Sequence, residues 1–148
     1  MGGNIYIVRL KMLVVATGVF EILHPGHIQY LEDSKALGDR LVVVVATDET
    51  ASRRKRRPVV SEGQRLHMVR ALKPVDDAVL GDKGDMYATI VRLKPDVLTI
   101  GPDQDFDENA VACELALRGL ATRVVKIRRY WDAGLHSTRI IVGLIKRQ

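Results

Sequence analysis

At 148 residues, 47% of them apolar and 28% charged, the chain has the size and balance of one globular domain, and its composition excludes a disordered polymer. A net charge of +5 suits any polyanion, whether nucleic acid, anionic membrane or a phosphate-rich small molecule, without choosing among them. Its single cysteine, Cys113, excludes an intramolecular disulfide, and no apolar run approaches the roughly 18 residues of a membrane span.

Met1 to Lys11 lacks the basic start, long apolar centre and cleavage site of a secretory signal, so a cytoplasmic location is expected. Ile5 to Val8 is apolar enough for an edge strand, but Met12 opens the first core strand directly. Residues 1–11 therefore read as an N-terminal extension to a domain spanning 12–148. Met12 to Thr17 and Leu41 to Thr47 are short, β-branched and apolar on both faces, the composition of buried parallel strands. Between them Pro25 to Leu37 carries apolar Ile28, Leu31, Ala36 and Leu37, with Gly38 as a stop, giving a strand–helix–strand unit.

The alternation continues. Ser61 caps a helix towards Leu72 that Pro74 ends, and Asp77 to Leu80 is a strand. Asp85 to Leu93 is helical until Pro95, and Val97 to Ile100 is a strand. Phe106 to Leu117 is a helix stopped by Gly119, with Cys113 as a small core residue, and Thr122 to Ile127 is a strand. A last helix runs from Ser137 to Ile145. Five strands alternating with five helices imply an α/β domain, a Rossmann-like doubly wound parallel sheet in the order 3-2-1-4-5 with helices on both faces.

Ligands of such sheets bind outside the carboxyl ends of the strands, where the winding reverses. The first strand ends in T-G-V-F-E-I-L-H-P-G-H, Thr17 to His27. Gly18 permits a tight turn and close approach of a ligand. Pro25 suits the first helical position, and the helix start offers unpaired N–H groups and partial positive charge to a phosphate. His24 and His27, one helical turn apart, can donate ring N–H bonds to phosphate oxygens. The plainer alternative makes His24 a helix cap and His27 a surface residue; a metal pair lacks a third ligand of suitable spacing.

Three other stretches carry charge or caps. The run Arg53-Arg54-Lys55-Arg56-Arg57 after the second strand reads as a basic loop, a type also found in nucleic-acid binders. Asp103, Asp105 and Asp107 alternate like a calcium loop with Glu114 in the twelfth place. Glu108 stands where that loop needs glycine, however, and Asp105 with Glu108 looks like a helix-capping pair. Ser137 and Thr138 open the last helix, as an N-cap would.

The first motif resembles T-G-x-F-D-x-L-H-x-G-H of the cytidylyltransferase-like nucleotidyltransferases. The resemblance implies that His24 and His27 are catalytic, binding the triphosphate and stabilising charge as pyrophosphate leaves, and that Gly18, Val19, Phe20, Pro25 and Gly26 belong to the ATP site. Glu21 departs from the family's aspartate by one methylene. Resemblance also assigns Ser137 and Thr138 to the β- and γ-phosphates and the basic loop to closure over the triphosphate, with Lys55 and Arg56 the foremost candidates. Arg65 matches a recurrent family arginine loosely. G-P-D-Q from Gly101 resembles the same string in archaeal FAD synthases, as do T-D-E-T, A-L-K-P-V-D-D-A-V-L-G and L-K-P-D elsewhere. That likeness implies that Asp103 contacts the nucleotide and Tyr130 lines its pocket. Trp131 offers a stacking surface, although aromatics in such loops often only cover core. The family's cysteine-containing segment before the last helix is replaced by Asp132-Ala133-Gly134-Leu135.

The resemblance implies transfer of AMP from ATP to FMN, with Mg²⁺ or another divalent cation, no nucleic-acid or membrane partner, and a homodimer. The nearest alternative is glycerol-3-phosphate cytidylyltransferase, whose R-T-x-G-I-S-T-T is absent here; R-R-Y-W-D-A-G-L-H-S-T stands in its place. Pantetheine-phosphate and nicotinamide-mononucleotide adenylyltransferases fit less well. A non-catalytic nucleic-acid module would account for the arginine run but leaves the H-x-G-H helix start unexplained.

Overall fold

The computed structural model describes residues 11–148, so the strand expected at Ile5 to Val8 lies outside the described residues. Five strands, β1 (Leu13–Gly18), β2 (Arg40–Val45), β3 (Asp77–Leu80), β4 (Val97–Ile100) and β5 (Arg123–Lys126), form one parallel sheet in the order β3-β2-β1-β4-β5. The helices are α1 (Pro25–Lys35), α2 (Asp48–Arg54), α3 (Glu62–Arg70), α4 (Ala88–Leu93), α5 (Glu108–Leu117) and α6 (Thr138–Ile145).

Alternate strand residues point to opposite faces, and both faces are buried. Val14, Ala16, Leu41, Val43, Val45 and Val97 pack with Tyr30 and Leu31 of α1 and Val69 of α3. Val15, Val42, Val44, Leu98 and Ile100 pack with Ile90 of α4 and with Val111 and Leu115 of α5. This two-sided burial is why the strands read as unbroken apolar runs. The chain winds outward from β1 through β2 to β3, then crosses back to β4, so the winding reverses between β1 and β4.

Four local expectations need correction. An additional helix, α2, follows β2, which ends at Val45 rather than Thr47. Thr47 caps it by accepting from Thr50 N–H at 3.1 Å, with Asp48 and Glu49 in its first turn and Arg53 and Arg54 in its last, charges that suit the helix dipole. Arg53 and Arg54 are thus helical, and the basic loop begins at Lys55. On α1 the inward residues are Gln29, Tyr30, Leu31 and Ser34, while Ala36 is exposed. Asp107, not Asp105, caps α5, accepting from Ala110 N–H at 2.8 Å, and Glu108 instead accepts from Lys126 N–H and pairs with Arg128. Cys113 lies on the outer face of α5, exposed, and is no part of the core.

Candidate active site

The turn from β1 to α1 is built around a residue in an unusual conformation. Phe20 has φ 53°, a left-handed backbone that a bulky side chain rarely adopts. Its ring is 3% exposed, stacks 6.4 Å from Tyr30 and lies 5.4 Å from His27. Burial of that ring offsets the backbone cost. Gly18 makes room for it, since a Cβ there would lie 2.8 Å from the Phe20 ring. The Phe20 side chain therefore faces the core, and only its backbone remains for a ligand.

A buried polar network seats α1 on the reversal point of the sheet. Tyr30 Oη donates to the Thr99 carbonyl at 2.9 Å and accepts from Thr17 N–H at 3.2 Å. Burial pushes the phenol up to about 12, so it stays protonated. Ser34 Oγ donates to the Tyr30 carbonyl at 2.7 Å, leaving the 2.8 Å contact with Thr99 Oγ1 to be donated by Thr99. Ser34 and Thr99 are wholly buried polar residues that the periodicity of apolar residues does not reveal.

His24 and His27 cap the start of α1 reciprocally. His24 Nδ1 accepts from Gly26 N–H at 3.1 Å, and His27 Nδ1 accepts from His24 N–H at 3.3 Å. Their rings stack with centroids 3.8 Å apart. Burial holds the His24 imidazole below its ordinary pKa, with Asp103 pulling the other way and His136 adding to the fall. Burial, helped by His24, takes His27 down to about 3. Both rings are neutral at pH 7. A neutral imidazole whose Nδ1 accepts must carry its proton on Nε2, so the pair offers two Nε2–H donors.

This geometry corrects one expectation. The first-turn N–H groups of α1 are not unpaired: Gly26 gives its hydrogen to His24 Nδ1, and His27 gives its own to the His24 carbonyl at 3.0 Å. The capping alternative is thus true of His24, and the same bonds fix which imidazole nitrogen can donate.

The start of α6 meets the start of α1. A Cβ on Gly26 would lie 2.6 Å from the His136 carbonyl oxygen, so only glycine allows the two segments to approach this closely. Thr138 Oγ1 donates to the Ile22 carbonyl at 3.3 Å, and Ser137 Oγ accepts from Ile140 N–H at 3.3 Å. The structure thereby brings Ser137 and Thr138 alongside the histidine motif. Gln104 bridges the ends of β4 and β1, accepting from Gly101 N–H and lying 3.5 Å from Thr17 Oγ1. Tyr130 is 54% exposed and donates to the Pro102 carbonyl at 2.9 Å, joining the loop after β5 to the Gly101–Gln104 loop. Asp103, exposed, acts on His24 through its charge. Trp131 is 41% exposed.

Of the basic loop, Lys55 is exposed, while Arg56 pairs with Glu21 at 2.9 Å. The residue that sequence reasoning undervalued is Arg65. It is 0% exposed and donates to the carbonyls of Val60 (2.9 Å), Val19 (2.6 Å) and Ala46 (2.8 Å) and to Asp48 Oδ1 (2.7 Å). That hydrogen bond holds the Asp48 carboxyl below the usual carboxylate range. One guanidinium therefore joins the turn after β1, the end of β2, the start of α2 and the end of the basic loop. A signal did exist: Arg65 stands four residues before Val69 on the inward stripe of α3, where an unpaired charge would be costly.

Residues 15–143 match the family described as cytidylyltransferase-like. The chain is 50% identical over 129 residues to the FAD synthase of Aciduliprofundum boonei, covering 87% of each chain. It is 53% identical over 133 residues to the FAD synthase of Archaeoglobus profundus, covering 89% of this chain and 85% of that one. Among solved structures, the lipopolysaccharide core biosynthesis protein of Thermoplasma volcanium is 48% identical, with a TM-score of 0.79 over 81% of this chain and 98% of its own.

Proposed function

This chain belongs to the cytidylyltransferase-like family, and we infer that it is an FMN adenylyltransferase, joining ATP and FMN into FAD and pyrophosphate. The acceptor is carried by the likeness to FAD synthases along about nine-tenths of the chain. The chemistry is carried by one observation, the reciprocally capped His24–His27 pair beside the start of α6.

Nucleotidyl transfer to a phosphate monoester asks little covalent chemistry of the protein. The FMN phosphate, with a second pKa of about 6, is largely a dianion at pH 7 and needs no general base. One of its oxygens attacks the α-phosphorus of ATP; the bond to the β-phosphate oxygen breaks, and pyrophosphate leaves with that electron pair. The protein has to bring two anions into line and stabilise the departing charge. In this reading the Nε2–H groups of His24 and His27 donate to the phosphate oxygens where charge accumulates. Ser137 and Thr138 hold the β- and γ-phosphates, the loop from Lys55 covers them, and Asp103 and Tyr130 border the nucleoside. Gly18, Val19, Phe20, Pro25 and Gly26 supply the backbone of the turn.

Neutral imidazoles suit this task. Two imidazolium cations with centroids 3.8 Å apart would repel each other before the ligand arrived, whereas two N–H dipoles need no reorganisation. A divalent cation such as Mg²⁺, expected to accompany the triphosphate, would supply neutralisation of phosphate charge. Among the described residues no three His, Cys, Asp or Glu side chains are grouped to hold a metal.

The test supplies FMN with ATP or CTP and Mg²⁺ and chromatographs the products. FAD appearing with ATP alone is the expected result. Product from CTP and glycerol 3-phosphate, with none from FMN, would overturn the assignment.

A further inference from the structure

Glu21 stands where the family motif carries aspartate, and its longer side chain reaches the segment that follows α2. The carboxylate is 10% exposed and accepts from Arg56 Nη2 at 2.9 Å and from Val59 N–H, with Arg56 Nη1 3.5 Å from its other oxygen. The next carbonyl along the chain, that of Val60, accepts from Arg65 Nε at 2.9 Å, and Arg65 Nη1 also holds the carbonyl of Val19. Two adjacent residues of the loop's far end are therefore stapled to the turn that leads into His24.

We propose that Glu21 is a positioning residue that docks the basic loop against the β1–α1 turn before nucleotide arrives. Arg56 is its anchor rather than a phosphate ligand, and Lys55 and Arg57 are the cations that meet the triphosphate. The proposal rests on reading the site as one that binds a triphosphate. A nearly buried carboxylate beside a polyanion is repulsive unless neutralised, and Arg56 neutralises it at hydrogen-bond distance. Drawing Arg56 away to a phosphate would leave Glu21 charged, poorly hydrated and facing like charge, at a cost that a fresh Arg–phosphate contact would have to exceed. Keeping the pair intact satisfies both groups. The Val59 bond gives the same carboxylate a hold on the backbone, so the loop's position follows from Glu21 and not from the guanidinium alone.

Two measurements test this, on Glu21→Gln, Arg56→Met and the double variant, each with a far-UV spectrum matching the parent. The first is limited trypsin digestion of the ligand-free protein; Lys55 offers a cleavable bond in every variant, and Arg57 is shielded by Pro58. Cleavage after Lys55 is expected to quicken about fivefold or more in Glu21→Gln, the mark of a loop whose local opening has become easier. Equal cleavage rates would overturn the docking role. The second measurement is steady-state kinetics. Both single variants are expected to raise KM for ATP by similar factors, roughly three- to tenfold, with a smaller change in kcat, and the double variant to be no worse than the worse single. If Arg56→Met costs far more than Glu21→Gln, and costs as much again in the Glu21→Gln background, Arg56 binds phosphate directly and the proposal fails. Proteolysis does not depend on catalysis, so a parent protein unable to make FAD would sink the reaction assignment while leaving the loop result to be judged by itself.

Discussion

The backbone carbonyl of His136 occupies the space that a side chain on Gly26 would need: a Cβ there would stand 2.6 Å from the oxygen. Glycine at this position is what lets the segment opening α6 lie against the segment opening α1, so the two motifs meet.

Gly26→Ala is therefore expected to separate them. The helix can accept alanine, but the His136 carbonyl and the His24 ring, also within 2.9 Å of the added carbon, must shift. Turnover should fall about 100-fold, as displacement of positioned groups by about an ångström does, with the chain still folded. Steady-state kinetics beside a thermal melt check this, and near-parental kcat would show that the approach of the two helix starts is not needed.

Capping and catalysis by His24 can be separated. His24→Ala removes an N-cap acceptor, costing about 1 kcal/mol, and slows turnover by roughly 100- to 1000-fold. Asparagine is a good N-cap, so His24→Asn should recover most of the stability and little of the rate. His27→Ala should slow the reaction comparably. Denaturant melts and single-turnover rates supply the comparison; full activity in His24→Asn would reduce His24 to a cap.

Acid should destabilise the protein through His27. Its folded-state pKa of about 3 lies below its ordinary value of 6.5, so between the two the unfolded chain binds a proton that the folded chain does not. Stability contributed by the neutral, buried ring is complete above about pH 6.5 and is lost progressively as pH falls towards 3. His27→Gln should flatten that part of the profile. Urea denaturation at pH 7.5, 6, 5 and 4 measures it, and parallel profiles for parent and variant would exclude His27 as the source.

Arg65 should tolerate no substitute. Arg65→Met leaves three partly buried carbonyls and Asp48 without their donor, a loss of roughly 3 kcal/mol. Arg65→Lys keeps the charge, but a single ammonium cannot match the planar spread of four bonds, and most of the loss should remain. Differential scanning calorimetry reads this directly; a shift within about a degree, less than ~0.5 kcal/mol would cause, would show that the network is dispensable.

The order of elements was legible from the chain because parallel strands buried on both faces must be short unbroken apolar runs, and the helices between them are punctuated by proline and glycine. The H-x-G-H start was legible for a similar reason: His24 and His27 meet through one turn of their own helix, a local relation that spacing expresses. Helix α2 was written in Thr47, Asp48 and Glu49 but hidden by the strand-like Ala46–Thr47 before it and the arginine run after it. Ser34, Thr99 and Arg65 were obscured because a polar residue inside is stable only with partners, and some of theirs lie on other elements: Thr99 for Ser34, and Val19 and Ala46 for Arg65.

What only the tertiary structure decided is how the loops beyond the strand ends converge. Glu21 reaches Arg56 across 35 positions, Arg65 reaches Val19 across 46, and Thr138 reaches Ile22 across 116. These contacts depend on the winding order that puts β1 at the centre of the sheet, and on the depth at which α1 and α3 pack against it. The alternation of strands and helices implied the winding order, but not which loop side chains meet across it, because hydrogen bonds depend on distances in space that folding alone sets.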